Sequence, residues 1–514
     1  MANLIVCCDG TWNTPDDREN GLPAPTNVVK LYNSLAALDD NGIEQKHYYH
    51  PGVGTDGNWW ERIAGGGLGR GLERNVKSAY RWLAGAYRPG DHIWLFGFSR
   101  GAYTARSVGG MISRCGLLDP GQPASPDHLV WKHVDALFDA YRVRKTLPVT
   151  AGRRFHNVTG STCPEKSTPI HFIGVWDTVG ALGIPADLAL LHFIDDPARH
   201  EFHDTMLSPI VQHARHAVAI DERRDSFTPT LWAKSSRVVD LKQIWFAGVH
   251  GDVGGGYGQS GLSDIALGWM MNEARDQNLA IRPKAQAQLS PSAQAPLHDS
   301  LTGVFARMKT RPRAVPVIPD VAGKPSSLHR TVVDRHRMPP ISQGRYWPRK
   351  LVGPGQPAVV DVFARQHWNA SGIFLEAGGD YAFSAKGEWL DGSVVCDPEG
   401  TKGRHFQYGE IWHFARSLID DAEDFFKGFS GKQQADFWWS RREGALPWFA
   451  LVGVVANSTH WPDDKHPNEH EVFLIGEETR FTPKASGYLY AFANDAWQNY
   501  DDNAGSVSLT VSLA

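Results

Sequence analysis

The 514-residue chain is poor in sulfur, with 5 Cys and 7 Met. Its cysteines (Cys7, Cys8, Cys115, Cys163, Cys396) are odd in number, scattered, and never at metal-ligand spacing. That excludes a disulfide framework and a Cys-rich zinc site, and points to a reducing compartment. Charge of one sign is also missing: Lys+Arg 52 against Asp+Glu 56 gives a net charge of -4. A strongly basic nucleic-acid binder and an acidic disordered tail are excluded. No apolar run reaches the roughly 18 residues of a transmembrane helix. The longest, residues 445–456, contains Pro447 and Gly453 and reads as a buried strand. The opening MANLIVCCDG has no basic start and no small-residue cleavage site, so no Sec-type signal is expected. There is no internal repeat. What is plentiful is apolar and aromatic surface: 42% hydrophobic residues, 11% aromatic, and 19 Trp. That content can bury a large core, and the length allows two or three domains at roughly 100–200 residues each.

The first half alternates short apolar runs with helical patterns. Residues 4–8, 46–50, 92–98, 169–176 and 243–249 read as strands. Residues 26–38, 71–86, 101–114 and 262–274 have helical periodicity, with a cap at Thr26 or Asn27 for the first. Continuous apolar strands separated by helices indicate a mostly parallel sheet in an α/β domain. Two insertions interrupt it. The first, 120–168, carries a helix near 128–144. The second, 180–240, carries an apolar stretch at 182–194 and a predicted helix at 209–220. From 283 to 358 periodicity is lost in a Pro-, Ser- and Arg-rich stretch, which reads as wrapping loops and a linker near 353–357. Beyond 358, short strands with turn residues between them predict an all-β sandwich. The expected division is a catalytic domain over 1–357 and a β-sandwich accessory domain over 358–514.

Gly97-Phe98-Ser99-Arg100-Gly101 matches G-x-S-x-G between a predicted strand and a predicted helix. Such a turn forces the serine into strained backbone and lifts its Oγ above the sheet, beside a helix N-terminus that favours a developing anion. A tight turn with a capping serine would carry the same pattern. A serine nucleophile needs a base and an orienting acid. In this arrangement the chain order is Ser, acid, His, each after a strand's C-terminal end. Asp177 and His250 occupy those places, and Asp252 is the rival acid. His216, expected on a helix, and His171, in a strand, read as packed side chains. The oxyanion hole would use the Arg100 backbone N–H and a second from Gly10 or Thr11, in the loop after the first strand.

The motif series CDGTWN (8–13), GLGRGLERN (67–75), FGFSRGAYTAR (96–106), GVWDTV (174–179), DERR with Phe227, Pro229 and Trp232, and WFAGVHGDVGGGY (245–257) resembles one family. It is the α/β-hydrolase family that includes type VI secretion phospholipase effectors and many uncharacterised bacterial and fungal proteins. The resemblance covers about residues 1–350. It implies a Ser–Asp–His hydrolase with Ser99, Asp177 and His250 as triad, phospholipase A-type or lipase activity, and no catalytic cofactor. It also implies a lipid or membrane-surface substrate, a secretion-apparatus or immunity protein as partner, and export by a signal-independent route. Asp221–Arg224 reads either as catalytic or as an ion-pair network. The 67–75 segment lacks the Lys-Ser/Thr of a P-loop, which excludes nucleotide binding there. Residues 182–194 are either a lid beside the site or a buried helix.

Near the C-terminus, Asp495, Asn499, Asp502 and Asn503 cluster oxygen ligands of the kind calcium prefers. This segment resembles the small β-sandwich of bacterial calcium-dependent galactose-binding lectins. The likeness implies calcium ligation by those four residues, a backbone carbonyl added by Asp391, and glycan as a second ligand. An Asx-rich turn without metal is the alternative. Two other functions stay open: esterase action on a non-lipid acyl substrate, and surface recognition dominated by the lectin-like domain.

Overall fold

Residues 2–8 are apolar without alternation, which requires a strand covered on both faces. In the computed structural model they form β1 (Ala2–Cys8), buried throughout. The structure describes all residues except 11–12, 20, 53–66, 122–125, 144–153, 157–167, 180–206, 234–239, 307, 320–326, 347–351, 401–441 and 458–469. The described residues fall into two compact units, Met1–Tyr346 and Trp347–Asn457 with Glu469–Ala514.

In the first unit, β1 is joined by β2 (Glu44–His50), β3 (His92–Phe98), β4 (Ile170–Trp176), β5 (Val211–Ala219) and β6 (Asp240–Phe246). They form one sheet in the order β6-β5-β4-β3-β1-β2. Every pairing is parallel. Alternate residues of each strand serve opposite faces. Leu4, Val6, Ile93, Leu95, Ile173 and Val175 pack against a layer of α2 (Gly67–Ala86), α3 (Arg100–Cys115) and α4 (Asp127–Arg142). Trp94, Phe96 and Phe172 stack on the other face. There Gly174 leaves room for Phe96 and for Met270 of α6 (Gly261–Arg275). The helix α1 (Asn27–Ser34) starts at Thr26, whose hydroxyl accepts from the Val29 N–H.

The strand order reverses between β1 and β3, where the connections leave in opposite directions. Such a switch point opens a crevice beyond the strands' C-terminal ends. Gly10 and Ser99 stand at those two ends.

One predicted element differs in kind. Periodicity predicts a helix over 209–220, but residues 211–219 form β5 between β4 and β6. Val211, Ala214 and Ala217 are spaced as on a helix face, and alanine favours helices. Pairing on both edges and burial on both faces override that local preference. His216 therefore lies on a central strand.

The second unit is antiparallel throughout its described strands. One sheet contains β7 (Ala358–Phe363), β9 (Tyr381–Lys386), β10 (Trp389–Asp391), β11 (Val394–Cys396), β14 (Glu478–Phe481) and β16 (Ala504–Leu513). The other orders β8 (Asn369–Leu375), β15 (Gly487–Ala493), β12 (Leu451–Ala456) and β13 (Glu471–Leu474). In β7 buried and exposed residues alternate strictly, as a strand with one wet face requires. Val360, Val362, Phe383, Trp389, Leu451, Leu489 and Leu509 share one core. The fold is thus an α/β-hydrolase-like parallel sheet with helices, followed by an all-β region.

Candidate active site

Ser99 closes the turn between β3 and α3 with φ 57° and ψ -122°. Among the described residues only four other than glycine have positive φ, and Ser99 and Asp177 (φ 36°) are two of them. Strain of this kind survives where the surroundings over-determine it. Gly97 and Gly101 show how. A Cβ on Gly97 would overlap the Gly101 carbonyl, and one on Gly101 would overlap the Cys8 carbonyl of β1. Both glycines are required because strand, turn and helix touch backbone to backbone. The Ser99 N–H donates to the Trp176 carbonyl at 3.1 Å, which ties the elbow to the end of β4.

Asp177 directly follows β4 and is fully buried. Its Oδ2 accepts from His250 Nδ1 at 2.6 Å, and its Oδ1 from the Ala219 N–H at 2.9 Å. Arg313 adds a fork, Nη1 to Oδ1 at 2.7 Å and Nη2 to Oδ2 at 3.0 Å. Burial alone would raise this carboxyl's pKa. The Arg313 charge and then the His250 hydrogen bond outweigh it and hold the group well below the usual carboxylate range. An ionised Asp177 can only accept, so His250 carries its proton on Nδ1 and leaves Nε2 as a lone-pair acceptor.

His250 begins the short helix α5 (His250–Gly254) after β6. Its ring lies against Phe98, the residue before Ser99, at 4.6 Å between centroids. Phe227 meets it edge-on at 4.9 Å. Burial lowers the imidazole pKa, the hydrogen bond and charge of Asp177 raise it in part, and Arg224 lowers it further. The ring is neutral at neutral pH, as a general base must be.

The Asp221–Arg224 block resolves into a buried network. Glu222 takes a fork from Arg224, at 3.0 Å from Nε and 2.7 Å from Nη2. It also accepts from Ser300 at 3.0 Å and from the His250 backbone N–H at 3.3 Å. Burial pushes the Glu222 carboxyl up, but the Arg224 hydrogen bond and charge bring it down to about 2. Arg224 stacks over Phe227 at 3.5 Å. The block therefore anchors the His250 backbone and, through Arg224, braces the Phe227 ring that meets the imidazole. Asp252 lies elsewhere: it accepts from the Val249 N–H at 3.1 Å, capping α5, and pairs with His298 Nδ1 at 2.6 Å. His216 carries no charge here. Its Nε2 accepts from the Thr178 N–H at 3.1 Å, and burial lowers its pKa to about 3.

Of the oxyanion candidates, Arg100 is the first residue of α3, where backbone N–H groups lack helical partners. The Gly10 N–H donates to the Asp9 carboxylate at 2.7 Å. Thr11 and the 182–194 stretch lie outside the described residues. Asp9 also accepts from Thr26 and Tyr49, each at 2.8 Å, and burial raises its pKa to about 6. No sequence signal singles out Arg313. It lies in an aperiodic stretch among 52 basic residues, and no spacing marks it.

In the second unit, ligand atoms of Asp391, Asp495 and Asp502 lie within 4.8 Å of one another. Burial raises Asp495 to about 6 and raises Asp391 as well. Asn503 donates to Asp495 at 2.9 Å, and its buried Oδ1 has no hydrogen-bond partner among the described residues. Asp391 offers its carboxylate to the cluster, where the lectin likeness implies a backbone carbonyl. Asn499 is half-buried, and its carbonyl accepts from the Asp502 N–H at 3.4 Å. A set of three clustered carboxylates suits a hard divalent cation.

An uncharacterized protein of Saccharomyces cerevisiae, YEL023C, is 34% identical over 244 residues, which cover 44% of this chain and 32% of that protein. The matched part thus spans about a third of the relative's length. Solved structures give distant likenesses. An uncharacterized protein from Pseudomonas aeruginosa matches at 18% identity with TM-score 0.32, over 57% of this chain and 49% of that one. The Tle1 effector bound to the VgrG spike of the type 6 secretion system matches at 18% identity with TM-score 0.28, over 50% and 51%. The EclA N-terminal domain, a PllA-like lectin, matches at 20% identity with TM-score 0.18, over 30% and 95%. The family model for the catalytic domain of Tle1-like phospholipase effectors of type VI secretion matches residues 2–273, more than half of the chain, and the chain belongs to that family.

Proposed function

We propose that this protein is a serine ester hydrolase acting on phospholipid. The observation that carries the reading is the Asp177–His250 hydrogen bond at 2.6 Å, beside a serine held at φ 57° on a strand-to-helix elbow. Ser99, Asp177 and His250 follow three strands of one parallel sheet at the same edge, the order a triad of this fold needs.

His250 Nε2 removes the Ser99 proton as Oγ attacks the ester carbonyl. The new C–O bond pushes the carbonyl pair onto oxygen, where the Arg100 N–H and a donor from the Gly10/Thr11 loop stabilise it. Asp177 holds the imidazolium that forms and fixes its tautomer. As the oxyanion re-forms the carbonyl and the ester C–O bond breaks, the protonated Nε2 gives its proton to the departing alkoxide, which leaves as the alcohol. Water repeats the sequence on the acyl-enzyme, releasing the fatty acid and freeing Ser99.

Phospholipid is favoured over a non-lipid acyl group by the family, whose description is a phospholipase effector. The same membership supports export by a type VI route with a secretion-apparatus partner, and an immunity protein as antagonist is the associated reading. Calcium in the second unit would be held by Asp391, Asp495 and Asp502 with the Asn503 amide oxygen. There it would offset two of the three clustered negative charges and order the loop before β16, with no part in the hydrolysis. Glycan binding at that loop is the associated reading.

The test is product analysis by mass spectrometry on mixed phospholipids, triglycerides and acetylated glycans, with Ser99→Ala as control. Free fatty acid and lysophospholipid that vanish in the variant support the reading. Release of acetate alone would make it a non-lipid esterase, and full activity in Ser99→Ala would end the serine mechanism.

A further inference from the structure

We propose that Arg313 is a positioning residue of this hydrolysis, one that locks the acid's orientation and sets the pH range in which His250 serves as base. The inference rests on the reading of Ser99, Asp177 and His250 as a triad.

The geometry is that of a built contact. The Arg313 side chain is 3% exposed and the Asp177 side chain 0%. Both carboxylate oxygens are engaged, by Nη1 at 2.7 Å and Nη2 at 3.0 Å. The remaining Nη protons donate to the carbonyls of Ala219 and Phe227, each at 2.6 Å. One guanidinium therefore ties together the acid after β4, the end of β5, and the segment whose Phe227 ring packs on His250. A planar fork of this kind fixes rotation about the carboxylate, which a point charge cannot do.

The chain delivers Arg313 by a strand-like contact with the DERR block. Asp225 donates to the Lys309 carbonyl at 3.0 Å, Arg311 donates to the Arg223 carbonyl at 2.7 Å, and Arg224 bridges Thr310. Residue 313 lies beyond residues 2–273, the part of the chain that the family model matches. The acid's partner is thus supplied from outside the matched core.

The electrostatic consequence follows from the charges around His250. Asp177 and Arg313 form one neutral pair, and Glu222 and Arg224 form a second. On its own helix, Asp252 is matched by His298. His216, near Asp177, is neutral, and Arg100 follows Ser99 on α3. Phe98 and Phe227 complete the walls without charge. With Arg313 in place, the imidazolium feels an acid whose field is largely cancelled. Without it, Asp177 acts on His250 in full and the protonated ring is favoured. An uncancelled charge at this range shifts a pKa by about 1–3 units, so the effect is measurable.

The experiment compares wild type, Arg313→Met and Arg313→Lys on a short-chain p-nitrophenyl ester, recording kcat and KM from pH 4 to 9. Arg313→Met should lower kcat by about 100-fold with KM nearly unchanged, and should move the acidic limb of kcat/KM up by about one pH unit, since that limb reports the base in the free enzyme. Arg313→Lys keeps the charge and loses the fork. It should recover about a tenfold part of the loss and leave the limb where wild type has it. Wild-type kcat and an unmoved limb in Arg313→Met overturn the proposal. If that variant does not fold, Arg313→Lys decides: a kcat loss with an unmoved limb supports the positioning role, and wild-type kcat overturns it. Ser99→Ala is assayed in parallel. Near-wild-type turnover there refutes the triad itself, whereas an inactive Ser99→Ala beside a wild-type Arg313→Met refutes only the role of Arg313.

Discussion

Replacing Asp177 with asparagine removes one charge and keeps the shape. The carboxylate accepts four hydrogen bonds, two on each oxygen, from Ala219, His250 and both Arg313 Nη groups. An amide has one acceptor oxygen. Whichever way it is turned, its NH2 faces an Arg313 donor and either the Ala219 N–H or the His250 Nδ1–H. If it faces His250, the ring must shift its proton to Nε2 and can no longer deprotonate Ser99. If it faces Ala219, a backbone donor and Arg313 lose their acceptor at a fully buried position. Arg313, 3% exposed, is left with an uncompensated charge. Breaking a buried pair in this way costs about 3–5 kcal/mol. A wrong-tautomer base drops kcat about 10⁴-fold, or about 5.4 kcal/mol of barrier. Urea unfolding with tryptophan fluorescence measures the first quantity, and turnover of a short acyl ester the second. A variant with less than about tenfold loss of kcat and an unchanged urea midpoint would refute the arrangement of Asp177, His250 and Arg313 described above.

Other outcomes follow from the same physics. Ser99→Gly removes the side chain from a residue at φ 57°. It should abolish turnover yet raise stability by about 1 kcal/mol, the strain relieved less the entropy glycine adds to the unfolded chain, read from the urea midpoint. Glu222, held down to about 2, contributes stability that is fully present above the ordinary glutamate pKa near 4.3 and is lost as pH falls toward 2. Glu222→Gln should therefore be less stable than wild type at pH 7, with the gap closing between about pH 4 and 2 in urea titrations. Calcium at about 10 mM, roughly tenfold or more above the affinity range of extracellular sites, should raise the unfolding temperature of the full chain by a few degrees and protect it from proteolysis. Asp495→Asn should remove both effects while leaving esterase activity intact; no shift in wild type would reject the cation site.

The strand-to-helix elbow at Ser99 was legible because much of its constraint is local. Gly97 is demanded by a backbone contact four residues away, at Gly101, whereas Gly101 is demanded by the approach of Cys8 and Asp9 at the end of β1, and only its place in the G-x-S-x-G spacing makes it readable. Asp177 and His250 were legible for a related reason: each follows a run apolar enough to announce a buried strand, and strand ends collect the residues of a parallel sheet's site. The helix predicted over 209–220 failed where sequence carries two periodicities at once, since alanines three apart suit a helix face as well as a strand buried on both sides. Sheet pairing decided it.

Sequence by itself determined that a serine, an acid and a histidine stand at the ends of strands, and that oxygen-rich residues crowd one C-terminal loop. Tertiary structure alone decided what surrounds them. Glu222 was visible only as a charged block, and its hold on the His250 backbone needs β5 laid beside β6. Asp252 and His298 become partners only when a loop 46 residues downstream returns to α5. Arg313 meets Asp177 across 136 residues of chain, from a stretch with no periodicity to read. Hydrophobic period and turn chemistry are short-range signals. A charge placed against a buried acid by a wrapping loop has no such signal, because its partner is chosen by where the backbone passes and not by its neighbours in sequence.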